Sequence, residues 1–128
     1  MKRIIVVDDS EMVRNFHCFV LRSNGYEVIS AFNGVDALKK IYKNKVDMII
    51  TDVTMPIMDG YSFIKRIRME KELKDIPIII ISTEDKENNK YRGFNTGANL
   101  FINKPTDPKK LVESVDMLFG ERQYVEKH

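Results

Sequence analysis

Residues 48–60 read MIITDVTMPIMDG, and the fold follows from how that stretch is punctuated. Met48, Ile49 and Ile50 form an apolar run leading to Asp52, after which the chain breaks on Pro56 and Gly60. An apolar run closing on a carboxylate reads as a buried strand that delivers an acidic side chain to the lip of a sheet. In open α/β sheets ligands bind beyond the carboxyl ends of the strands, so Asp52 marks the edge where chemistry is expected.

Working outward, residues 4–7 and 78–81 are also short, consecutively apolar and β-branched. Such runs predict strands buried on both faces, as in a parallel sheet covered by helices. With 26–31, 46–52 and 99–103 they make five strands. Helical patterns fill the gaps. Residues 11–24 carry Met12, Val13, Phe16, Phe19 and Val20 as one inward stripe, with Ser10 as N-cap and Gly25 as the stop. A second helix covers 34–43 behind Asn33, and a third covers 61–71 and buries Phe63, Ile64 and Ile67. The last opens on Asp107 and Pro108, in cap-then-proline order, with Leu111, Val115, Leu118 and Phe119 as its stripe. The fourth helical region, 85–96, is the weakest, with two adjacent asparagines and an internal glycine. Only Tyr91 and Phe94 anchor it, so it is the element most easily shifted. The result is a (βα)5 chain, α/β and doubly wound, whose parallel sheet takes the flavodoxin-like order 2-1-3-4-5.

The 128 residues suit one domain, 1–120, followed by a charged tail, 121–128, with no output domain expected. Composition is that of a globular protein, 43% hydrophobic and 31% charged, and 21 basic against 19 acidic residues leave a net charge of only +2. The densest basic cluster, Lys65-Arg66-Ile67-Arg68, runs straight into Glu70 and Glu72, which favours a solvated helix face over a nucleic-acid surface. A single cysteine, Cys18, precludes an internal disulfide. No run approaches the ~20 apolar residues of a membrane span, and the N-terminus meets acidic residues too soon for a signal peptide. The expectation is a cytoplasmic protein without membrane insertion.

In the expected strand order, four strand ends converge. Strand 1 ends in Asp8-Asp9, strand 3 in Asp52, strand 4 in Ser82-Thr83-Glu84 and strand 5 in Asn103-Lys104-Pro105. Three gathered carboxylates repel unless they hold a hard cation, and oxygen ligands suit Mg²⁺. A nucleophilic carboxylate, a divalent cation, a lysine and a hydroxyl are the inventory of phosphoryl transfer, in which an aspartate can become an aspartyl phosphate. Each piece alone is ambiguous: Asp-Asp after a strand is often a helix cap, Lys-Pro is often a turn, and Ser82-Thr83 can cap a helix.

Together, VVDDSEMVR, TDVTMPIMDG, IIIISTED and INKP resemble the motifs of a bacterial response-regulator receiver domain over essentially the whole chain. The resemblance implies that Asp52 is the phosphoryl acceptor. It implies Mg²⁺ ligation by Asp9 and Asp52, by the backbone carbonyl of Thr54 and, largely through water, by Asp8. It makes Ser82 the switch hydroxyl, Lys104 the lysine that pairs with the phosphoryl group, and Lys104-Pro105 a cis bond. Phe101 takes the place of the switch aromatic, where a plain core role competes. Thr54 and Glu84 take positions that tune dephosphorylation, where surface solvation competes for Glu84. Two departures stand out: Thr83 stands where alanine is frequent, and Thr106 follows the proline where phenylalanine is frequent. The implied partners are a sensor histidine kinase as phosphodonor and a downstream protein such as a flagellar motor switch or a chemotaxis kinase, contacted by a monomeric, stand-alone, CheY-like receiver.

Rival readings remain at this level. A phosphorelay intermediate or phosphate sink shares every motif. An aspartyl-phosphate hydrolase acting on an external substrate needs a second aspartate where Thr54 stands, so the chain is not expected to be an enzyme of that kind. A flavodoxin-like cofactor binder needs a glycine- and hydroxyl-rich phosphate loop where Asp8-Asp9 stand. His17 and Cys18 invite a metal or redox reading, but their place opposite the Val13, Phe16, Val20 stripe assigns both to a solvated face.

Overall fold

Alternation along the strands decides which helices cover which face. In β1 (Arg3–Val7), Ile5 and Val7 pack with one core cluster, and Ile4 and Val6 with another. A strand sends successive side chains to opposite faces, so an unbroken apolar run must be covered twice. The computed structural model, which describes residues 1–83 and 94–120, supplies both covers. The helices α2 (Gly34–Lys43) and α3 (Gly60–Met69) bury Ala37, Leu38, Ile41, Phe63, Ile64 and Ile67 on the first face. On the second, α1 (Glu11–Ser23) and α4 (Pro108–Phe119) bury Leu21, Leu111 and Val115.

The other strands are β2 (Glu27–Ala31), β3 (Met48–Thr51), β4 (Ile78–Ser82) and β5 (Leu100–Asn103). All pair in parallel, in the expected order β2-β1-β3-β4-β5. The predicted caps are in place. Ser10 Oγ accepts from the Val13 amide, Asn33 Oδ1 from Asp36 and Asp107 Oδ1 from Lys109, and Gly25 follows the Asn24 C-cap with φ +91°. The weak helix expected over 85–96 falls mainly outside the described residues, within which 94–96 form a helical turn. Glu84 and the tail 121–128 also lie outside them.

The predicted stripe of α1 needs correction. Met12 and Phe19 are 80% and 70% exposed and Phe16 also faces outward, whereas His17 and Cys18 are each 2% exposed and packed inside with Val20 and Leu21. The helix carries two candidate faces. The one that meets the sheet runs through Arg14, His17, Cys18 and Leu21, at i, i+3, i+4 and i+7, and its polar members hid it from a reading based on apolar residues. Burial also pushes the Cys18 thiol up, which disfavours the reactive thiolate.

The basic cluster on α3 is likewise only partly a solvated face. Arg66 pairs with Glu70 at 3.2 Å, but Arg68 is folded against the protein. Its guanidinium donates to the carbonyls of Ile76 (2.6 Å), Lys74 (3.0 Å) and Gly97 (2.7 and 3.0 Å) and to Asn99 Oδ1 (3.0 Å). Arg68 therefore ties α3 to the segments that enter β4 and β5.

Candidate functional site

Backbone register places the chemistry. Asp8, Asp52 and Lys104 are each the first residue beyond a strand, and each amide still donates to the neighbouring strand: Asp8 to Ala31 O (3.1 Å), Asp52 to Val7 O (3.0 Å) and Lys104 to Ser82 O (2.9 Å). The ladder thus fixes all three Cα positions before any side chain is considered. Their side chains meet. Lys104 Nζ lies 2.7 Å from Asp8 Oδ2 and 3.3 Å from Asp52 Oδ2. One carboxylate oxygen from each of Asp8, Asp9 and Asp52 falls within a 4.8 Å cluster.

Local bonds aim the carboxylates. Asp8 Oδ1 accepts from the Ser10 amide at 2.9 Å, and Arg14 Nη1 donates to the Asp8 carbonyl at 2.7 Å, so the start of α1 holds Asp8. Asp52 Oδ1 accepts from the Val53 amide at 2.7 Å. Beneath it, α3 begins in close contact with the acceptor's own backbone. The Gly60 amide donates to Val53 O at 2.8 Å, and a Cβ at Gly60 would stand 2.2 Å from Asp52 O and 2.6 Å from Val53 Cα.

Asp52 and Asp8 are buried, while Asp9 is exposed. Burial is the main force raising the Asp52 carboxyl above its ordinary range; the Asp8 charge adds to it, and the Lys104 charge and the Val53 amide oppose it. For Lys104, burial alone would lower the ammonium. Its hydrogen bond to Asp8 and the charges of Asp52 and Asp8 outweigh that and raise it. Three carboxylates face one ammonium, so the cluster is short of positive charge. That deficit, with an all-oxygen hard donor set, fits a Mg²⁺ ion rather than a softer metal.

The remaining predicted residues surround this cluster to different degrees. Ser82 is buried at the end of β4, opposite Asn103. Thr54 is exposed beside Asp52, and the Lys104-Pro105 bond is cis, as the resemblance implied. Phe101 is half-buried against the α2/α3 core.

Reading the sequence missed Ile57, which sits in the left-handed region at φ +72° with its side chain 83% exposed. A β-branched residue there is strained, and the left-handed conformation costs an L residue on the order of 1–2 kcal/mol. Ile57→Asn is expected to stabilise the protein by about 1 kcal/mol, because asparagine tolerates this conformation. A rise in urea midpoint at unchanged m-value would register it; an unchanged or lower midpoint would contradict it.

Comparison with known proteins agrees with this geometry. Residues 4–116 match the family described as response regulator receiver domain. The chain is 36% identical over 120 residues to chemotaxis protein CheY1 of Helicobacter pylori, covering 92% of this chain and 97% of that protein. It is 34% identical over 114 residues to the phosphate regulon transcriptional regulatory protein PhoB of Escherichia coli, covering 89% of this chain and 50% of that protein, so it spans half the length of that relative. The solved structure of Vibrio cholerae chemotaxis protein CheY4 superposes with a TM-score of 0.87 at 37% identity, covering 91% of this chain and 98% of that one. The chain belongs to the response regulator receiver domain family.

Proposed function

We propose that the chain accepts a phosphoryl group on Asp52 from a sensor histidine kinase and signals that state through a protein contact, in chemotaxis or motility. The observation that carries this reading is the Lys104 ammonium, which bridges Asp8 and Asp52 within a cluster of three carboxylates. An Asp52 carboxylate oxygen forms the new bond to phosphorus as the phosphohistidine P–N bond breaks. Lys104 pairs with the arriving phosphoryl oxygens, and the buried Ser82 hydroxyl lies on the neighbouring strand end to follow. A Mg²⁺ held by Asp8, Asp9, Asp52 and the Thr54 carbonyl offsets phosphoryl charge when bound. Closure of Ser82 then biases Phe101 and the segment after β4, and Thr54 and Glu84 tune how long the phosphoryl group survives.

An exposed apolar stretch supports a protein contact close to the acceptor. Met12 and Phe16 on α1 face Lys104, Pro105 and Thr106 across an apolar groove of about 480 Å³. Patches of this kind mark interaction surfaces. Arg66 and Arg68 of the densest basic cluster are engaged within the protein, which supports a receiver that does not bind nucleic acid, and among the described residues no helix is long and apolar enough to cross a membrane. With Thr54 in place of a general-acid aspartate, no external substrate is expected to turn over.

Mixing the protein with an autophosphorylated histidine kinase is expected to move label from the kinase to this chain when Mg²⁺ is present and not when it is chelated. Label that stays on the kinase in Mg²⁺ would refute the reading. Pull-downs on purified motor-switch and chemotaxis-kinase domains, with and without phosphorylation, separate a signalling receiver from a relay intermediate or phosphate sink. The signalling receiver alone gains a downstream partner on phosphorylation.

A further inference from the structure

Two buried polar side chains outside the acceptor cluster bond to each other across the molecule. His17 Nε2 lies 3.0 Å from Thr106 Oγ1, 89 positions apart in sequence, and the residues are 2% and 8% exposed. They belong to opposite halves of the site. His17 sits on α1, whose first turn holds Asp8 through the Ser10 amide and Arg14. Thr106 follows Lys104 by two residues, in the short connection between β5 and α4.

We propose that His17 and Thr106 form a clasp that positions Lys104 against Asp8 and Asp52, making both of them positioning residues for phosphoryl transfer. The inference rests on the reading of Asp52 as phosphoryl acceptor. Lys104 stands beyond the end of its strand, where regular pairing stops. Upstream its backbone is tied by the Lys104 amide to Ser82 O; downstream Pro105 is exposed, and the next buried anchor is the Thr106 side chain. The ladder fixes the Lys104 Cα on the upstream side, and the Thr106 bond adds a side-chain hold on the downstream side before α4 opens at Pro108.

The chemistry of the pair also argues for positioning. A hydroxyl and an imidazole cost free energy in an apolar interior unless they bond to each other, whereas an apolar pair would pack there without that demand. What a hydrogen bond adds is a fixed distance and direction, where apolar surfaces can slide. Burial lowers the His17 imidazole; the charge of Asp8 opposes that and the charge of Lys104 reinforces it.

The test is Thr106→Val, which removes the hydroxyl at nearly constant shape, followed by the rate of Asp52 phosphorylation by acetyl phosphate with Mg²⁺. The expected result is a rate roughly tenfold lower, less than the ~100-fold cost of a full 1 Å misplacement because Lys104 keeps its strand anchor. Thr106→Ser, which restores the hydroxyl, should recover most of the rate. His17→Gln, whose amide can reach the same hydroxyl, should lose less than His17→Phe. Labelling of Thr106→Val at the unaltered rate would overturn the clasp. So would a slowing that only follows a fall in the folded fraction. If the unaltered protein itself takes no label, the acceptor reading fails and the clasp with it, an outcome distinct from a failure confined to the variant.

Discussion

Gly60→Ala is expected to cost the fold on the order of 3 kcal/mol, near the upper end for overpacking substitutions. Helices ordinarily gain from alanine over glycine, by about 1 kcal/mol in an interior position. Here the sign reverses, because the added methyl would sit 2.2 Å from the Asp52 carbonyl and 2.6 Å from Val53 Cα. Both neighbours are backbone, so neither can swing aside. Either α3 retreats, opening the contacts of Phe63, Ile64 and Ile67, or the Asp52–Val53 peptide moves and carries the acceptor carboxylate with it. The substitution should therefore lower the urea midpoint and slow labelling of Asp52 in the fraction that remains folded. A midpoint at or above that of the unaltered protein would contradict the close approach.

Lys104→Met should destabilise the metal-free protein by on the order of 2 kcal/mol at neutral pH, because removing one partner of a buried ion pair strands the other charges. Lys104 bonds two buried carboxylates at 2.7 and 3.3 Å, and methionine keeps the stem but loses the charge. The pH dependence has a definite sign. The folded-state pKa of Asp52 is already raised by burial, and the Lys104 charge is the largest force opposing that rise. A raised carboxyl stabilises the fold relative to the unfolded chain below its ordinary range, and that contribution is lost as pH rises through the folded value. Removing Lys104 raises the folded value further. The deficit of the variant should thus grow from mildly acidic to neutral pH in chelator and shrink when Mg²⁺ supplies the missing positive charge. Asp52→Asn runs the other way: it removes one of the crowded charges while Lys104 keeps Asp8, so metal-free stability should rise on the order of 1 kcal/mol. Urea titrations in chelator and in Mg²⁺ check both. A Lys104→Met deficit that is indifferent to pH and Mg²⁺ would contradict this balance of charges.

The strands were legible because runs such as Ile78–Ile81 are buried on both faces and leave little choice but a covered parallel sheet. Once the order β2-β1-β3-β4-β5 is granted, strand ends become neighbours, so Asp8, Asp52 and Lys104 could be brought together from position alone. Caps were legible for a related reason, being local. What stayed hidden depends on distant contacts. The inward face of α1 carries Arg14 and His17, and only the bonds these make to the Asp8 carbonyl and to Thr106 explain polar groups there. Arg68 looked like one more surface charge, because its acceptors at Ile76, Gly97 and Asn99 lie beyond its own helix. Gly60 announced a break in the chain but not the backbone pressed against it, and nothing in the letters around Ile57 announces a positive φ.

The central claim, that Asp52 is where the phosphoryl group is held, is tested most directly by locating it. The protein is incubated with acetyl phosphate and Mg²⁺, its intact mass is measured, and the modified residue is mapped after proteolysis. A gain of one phosphoryl group on Asp52, absent in Asp52→Asn, is the predicted result. Label on any other residue, undiminished label in Asp52→Asn, or no gain in Mg²⁺ would contradict the account.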